Sequence, residues 1–223
     1  MNDNDEMLVI AITGGIGAGK SAAASIIAGA GWKVIDTDRR AKEIMTESHD
    51  VRRKLINAFG GEVYLDDGSL HREFLADKVF AGTKEARKNL DKLNSIVHPA
   101  VIDDMIDRLE ELREDGEEMV FVESALVFES GIEEGFDYVV SVDAPEDVRI
   151  DRIIERSGIS RSDAEQRMSG QISSEEKARR ADFVIENAGT IDELRRTVES
   201  LLNILISLPA KDFSKLENLD QDN

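Results

Sequence analysis

The run Gly14-Gly15-Ile16-Gly17-Ala18-Gly19-Lys20-Ser21 ends a glycine-rich stretch with an amine and a hydroxyl. It matches G-x-x-x-x-G-K-[ST] in full. The glycines let the backbone fold tightly enough for successive N–H groups to point at phosphate oxygens. A helix opening at this point adds the positive end of its dipole. Lys20 then reaches β- and γ-phosphates, and the Ser21 hydroxyl is a hard oxygen ligand for Mg²⁺. The chemistry on offer is binding of a nucleoside triphosphate through Gly15, Ile16, Gly17, Ala18, Gly19, Lys20, Ser21 and Ala22.

Phosphoryl transfer also needs a group that receives a proton. Asp36 and Asp38 sit just past an apolar run, and a carboxylate there can orient a substrate hydroxyl and take its proton. Either aspartate can instead cap the helix that starts near Arg39. Glu123 closes another apolar run and is a second candidate for the metal. Arg149, Arg152 and Arg156 recur at spacings of three and four on one helical face. Such a row can close over a transferring phosphoryl group, or pair with nearby carboxylates in water.

These residues have to be positioned by strands and helices in alternation. Leu8–Ile12, Lys33–Ile35, Met119–Val122, Tyr138–Val142 and Phe183–Ile185 read as five short strands of the continuous apolar kind. Ser21–Ala30 and Ile191–Ile206 read as helices. This pattern predicts a parallel sheet covered on both faces. In such a sheet ligands bind at the carboxyl ends of the strands, where Ser21, Asp38 and Glu123 all fall. Residues 39–118 are helical and strongly charged, too long for one crossover, and read as an insert. Residues 146–180 are helical and rich in arginine, and 211–223 read as a frayed acidic tail.

Composition sets the outer limits. The chain has 223 residues, 41% hydrophobic and 34% charged, enough for a folded core. The formal net charge of −19 argues against a protein that follows nucleic-acid backbone. Without cysteine there is no disulfide, thiolate metal site or cysteine nucleophile. The uncharged stretch from Met7 to Gly19 follows acidic residues, unlike a secretory signal, and is too short to span a bilayer. The expectation is a cytoplasmic protein that binds neither membrane nor nucleic acid.

The ordered set of motifs resembles the dephospho-CoA kinase family from Leu8 to about Leu202. It comprises Ile12–Ser21, Val34–Asp38, Gly68–Leu75, Leu93–Pro99 and Ala178–Gly189. The resemblance implies a P-loop NTPase-type three-layer αβα fold with a five-stranded parallel sheet. The core would be 1–38, 119–145 and 181–210, with a helical CoA-substrate insert at 39–118 and a lid at 146–180. It implies transfer of the ATP γ-phosphoryl to the 3′-hydroxyl of dephospho-CoA, with Mg²⁺ and as a monomer. Asp38 falls on the family's base, with Lys20 and Arg152 as catalytic partners. Arg72 and His98 match substrate-side positions, and Arg156 and Asn187 become ATP-side candidates. Two departures stand out: Ala22 where many members carry Thr, and Ala125 where the family usually has Pro.

Three rivals use the same starting motif. Another small-molecule or nucleotide kinase would share the chassis, although the G-x-P-G variant of the loop is missing. A GTPase would carry N-K-x-D, which is not found. A non-catalytic nucleotide-binding module would have no use for a base or an arginine-rich lid.

Overall fold

The structure, a computed structural model, describes residues 7–211. The expected acidic tail therefore lies, from residue 212 on, outside the described residues. Five parallel strands form one sheet in the order β2-β3-β1-β4-β5. They are β1 (Leu8–Gly14), β2 (Lys33–Asp36), β3 (Met119–Glu123), β4 (Tyr138–Asp143) and β5 (Phe183–Glu186). All seven residues of β1 are buried, as a central parallel strand requires.

Alternation along the strands separates two cores. Leu8, Ile10 and Ile12 pack with Phe121 and Val140 against α1 (Lys20–Gly29) and α9 (Ile191–Leu205), through Ile26, Ile27, Leu194, Val198 and Leu202. Val9 and Ala11 face the other way with Val120, Val122 and Val139, against Met105, Phe128 and Phe136. Burial of such side chains is worth roughly 1.5–3 kcal/mol each, so both faces hold the sheet as one layer between two.

The insert has a core of its own. Ile44 and Met45 from α2 (Thr37–Glu47) meet Val51 and Leu55 from α3 (His49–Phe59). Leu75 and Val79 from α4 (Arg72–Phe80) and Val97 from α5 (Lys84–Glu114) complete the cluster. At 31 residues α5 is about 46 Å long by helical rise, so it reaches both bodies. Its first half packs in the insert, while Met105, Leu109 and Leu112 lie under the sheet. Arg40 grips Asp104 through two hydrogen bonds of 2.7 and 3.0 Å, tying α2 to that shared helix.

After β4 come α6 (Glu146–Ser157), α7 (Arg161–Met168) and α8 (Ser174–Arg180). Ile150, Ile153 and Ala164 form a small apolar seam between α6 and α7. The third helix, α8, behaves differently, because it packs on β4 and β1 and buries Ser174 and Lys177. No helix among the described residues is long and apolar enough to cross a membrane.

Candidate active site

The glycine loop joins β1 to α1 at the carboxyl edge of the sheet, as its sequence predicts. Gly17 and Gly19 have φ of +82° and +98°, backbone that side chains rarely adopt. A Cβ on Gly17 would stand 2.5 Å from the Arg149 carbonyl oxygen, and one on Gly19 2.0 Å from Asn187 Nδ2. Glycine is thus required here both for turning and for close approach. Gly19 offers no side chain to cap α1, so the N–H groups that open that helix have no side-chain partner from it.

Three acidic or basic side chains converge beside it. Lys20 Nζ donates to Asp38 Oδ2 at 3.0 Å and to Glu123 Oε1 at 2.7 Å. Ser21 Oγ donates to the same Glu123 oxygen at 2.6 Å. Burial disfavours the Lys20 charge, but the Asp38 and Glu123 carboxylates outweigh it and hold its pKa above the ordinary lysine range. Glu123 ends β3 in register with Asp36 on β2, and its backbone carbonyl accepts the Thr37 hydroxyl at 2.9 Å.

The competition between two aspartates for one cap is settled by geometry. Asp36 caps α2, accepting the Arg39 N–H at 2.8 Å. Asp38 sits in the first turn with its carboxylate turned to Lys20, and its Oδ1 accepts the Ala125 N–H at 3.4 Å. One residue caps, and the other is left for chemistry.

Asp38 also lies where two cavities meet. The larger, about 590 Å³, is walled by the glycine loop, Lys20, Ser21, Glu123, Arg152 and Arg156. Arg39 and Lys42 join that wall, a contribution the sequence reading missed, and of the two only Lys42, four residues after Asp38, was signalled by helical spacing in the sequence. The smaller, about 150 Å³, is apolar and lies between α2, α5 and the segment after β3. His98, Asn94, Met45 and Leu126 line it. His98 Nδ1 lies 3.3 Å from Ser130 Oγ. Its burial lowers its pKa, partly offset by the Glu129 charge.

The arginines of α6 divide by role. Arg152 donates to the Asn187 carbonyl at 3.1 Å and approaches the Gly17 and Ala18 carbonyls at 3.4 Å. Arg156 is exposed at the mouth of the larger cavity. Arg149 is buried under the loop, close to Gly15. Asn187 is buried too, and its amide donates to the Ala18 carbonyl at 2.8 Å, bracing the loop from behind. Arg72 begins α4 and is exposed, lining neither of these cavities.

Two oxygens here suit Mg²⁺. That ion asks the protein for one or two hard oxygen ligands beside phosphates. Ser21 Oγ and Glu123 Oε1, 2.6 Å apart, are such a pair. Among the described residues there is no group of three His, Asp or Glu that would hold a metal by itself.

Comparison with known proteins identifies the family. A sequence-family profile described as dephospho-CoA kinase matches residues 8–193. A dephospho-CoA kinase of Salinibacter ruber is 40% identical over 190 residues, 85% of this chain and 94% of that one. One of Carboxydothermus hydrogenoformans is 36% identical over 207 residues, 93% and 97% of the two chains. Among solved structures, a Thermus thermophilus protein superposes with a TM-score of 0.72 at 33% identity, covering 90% of this chain and 98% of its own. The dephospho-CoA kinase of Campylobacter jejuni gives 0.63 at 28%, with coverages of 88% and 96%. By profile, by sequence and by fold, the chain belongs to the dephospho-CoA kinase family, and it is a kinase.

Proposed function

We infer that the two cavities hold the two substrates and that Asp38 works at their junction. ATP enters the larger one with its β- and γ-phosphates against the glycine loop and Lys20. Dephospho-CoA presents its ribose 3′-hydroxyl from the side of the smaller one. The observation that carries this reading is that Asp38 lines both.

The residues then take these parts. Asp38 accepts the hydroxyl proton as the oxygen bonds to the γ-phosphorus. The bond from that phosphorus to the β–γ bridging oxygen breaks, leaving ADP. Lys20 exchanges its carboxylate partners for phosphate oxygens, which offer a comparable charge-assisted bond. Arg152 and Arg156 neutralise charge from the lid, 146–180, while Asn187 keeps the loop in shape on the ATP side. His98 orients the acceptor. Arg72, on the insert at 39–118, is carried by its motif match alone. Mg²⁺, held by Ser21 with Glu123 as the second candidate ligand, supplies charge neutralisation at the β- and γ-phosphates when bound.

The positive wall answers the chain's charge of −19. Two polyanions approach an acidic protein, and in the wall where they arrive Lys20, Arg39, Lys42, Arg152 and Arg156 outnumber Asp36, Asp38 and Glu123. All these groups come from one chain, so a monomer suffices. The cytoplasm, where ATP is available, is the compartment this reading assigns.

ATP consumption with a panel of alcohol acceptors tests the reading. ADP release should depend on dephospho-CoA and on Mg²⁺. Release of ADP that is indifferent to dephospho-CoA, or that prefers another acceptor, would retire it.

A further inference from the structure

Lys177 is completely buried, an unusual state for a lysine, and it lies outside the cavity that holds Lys20. It projects from α8 toward the segment that follows β3. Its ammonium donates to the backbone carbonyl of Ala125 and pairs with Glu129 Oε1 at 2.8 Å. The same Glu129 oxygen accepts the Ile172 N–H at 3.0 Å, and the other is buried without a partner. Such a pair is expensive to bury, and replacing it by apolar groups often costs a fold nothing. Stability alone is therefore a poor reason for it.

Its position offers a better one. The Ala125 carbonyl and the Ala125 N–H belong to successive peptide planes joined at a single Cα. The first plane is held at both ends, by Lys177 on the carbonyl and by Ser124 Oγ, which accepts the Leu126 N–H at 3.3 Å. The second plane aims its N–H at Asp38 Oδ1, 3.4 Å away. With Oδ1 engaged there and Oδ2 facing Lys20, the Asp38 carboxylate has one orientation. The ammonium of Lys177 is also close enough to feel the charges of both Lys20 and Asp38.

We propose that Lys177 is a positioning residue for the proton acceptor: by holding the Ala125 peptide it fixes the donor that orients Asp38. The α8 helix ends the 146–180 segment after α6 and α7 and packs on the sheet, so the lid's anchor and the base share one buried contact. The proposal rests on Asp38 being the base.

Three variants, assayed beside Asp38→Asn, separate this role from simple support of the fold. Lys177→Met removes the donor and strands a buried carboxylate, so it is paired with Lys177→Met/Glu129→Gln, which removes both charges. Lys177→Gln/Glu129→Gln also removes both charges but keeps an N–H donor for the Ala125 carbonyl. A misplaced reacting group costs on the order of tenfold to a hundredfold in rate. The Lys177→Met/Glu129→Gln variant should melt as a folded protein and lose turnover in that range, with KM for ATP within about twofold. Lys177→Gln/Glu129→Gln should recover most of the loss.

A folded Lys177→Met/Glu129→Gln variant with wild-type turnover would overturn the proposal, as would equal losses in the two double variants or a loss confined to KM. If Asp38→Asn is inactive while Lys177→Met/Glu129→Gln is fully active, only this proposal falls. An active Asp38→Asn enzyme removes the base, and the positioning role with it.

Discussion

Lys20 Nζ and Asp38 Oδ2 are 3.0 Å apart, an ion pair between the end of the glycine loop and the first turn of α2. The lysine side chain is 10% exposed and the aspartate's 37%, so the lysine is the more sheltered of two groups that both line the larger cavity. The amine that draws on phosphate charge thus stands beside the carboxylate assigned the acceptor's proton. In the proposed mechanism, a phosphoryl group on Lys20 would lie within reach of a hydroxyl on Asp38.

Asp38→Asn keeps the shape of that side chain and removes its capacity to take a proton. Turnover should fall by roughly 10²–10⁴-fold, the range for a positioned base. ATP affinity should change little, because the glycine loop is untouched. A coupled ADP assay and isothermal titration measure the two quantities separately. Near wild-type turnover would rule out Asp38 as the base.

Gly19→Ala tests whether the loop is pinned from behind. The new methyl would stand 2.0 Å from Asn187 Nδ2 at a φ of +98°. Backbone held in that region costs on the order of 1–3 kcal/mol, and displacing Asn187 would also free the Ala18 carbonyl. Denaturant unfolding should show a loss of that size together with weaker ATP binding. An unchanged midpoint and unchanged affinity would contradict the packing described.

His98 predicts a pH dependence of stability. Burial holds its folded pKa below the ordinary 6.5, with the Glu129 charge opposing in part. As pH falls below 6.5 the unfolded chain takes up this proton before the folded one does. Its contribution to stability is therefore complete above 6.5 and is lost as pH falls toward the lower folded value. Thermal melts of His98→Gln should be flatter with pH across this acidic window than those of the wild type. Identical slopes would exclude the effect.

Much of the fold and part of the site could be read along the chain, because the signals are local. Leu8–Ile12 and Met119–Val122 are unbroken apolar runs, and only a strand buried on both faces accommodates them in an α/β chain. The glycine loop announces itself because its conformation excludes side chains at Gly14, Gly17 and Gly19. Asp36 and Glu123 each close an apolar run in the sequence, while their register comes from the pairing of β2 with β3.

What tertiary structure decided concerns partners far apart in sequence. Asp36 and Asp38 are alike as residue types, and only the turn of α2 makes one a cap and sends the other to Lys20. Arg149, Arg152 and Arg156 share a helical face, yet one is buried under the loop, one reaches the backbone carbonyls of residues 17, 18 and 187, and one is exposed. Lys177 stands in a run of glutamates and arginines that reads as a solvated helix, and nothing local marks it as buried. Backbone conformation and strand burial depend on neighbours a few positions away, so the sequence by itself determined the sheet and the phosphate loop. The burial and pairing of a charge depend on which distant elements dock against it, so that assignment belonged to the fold.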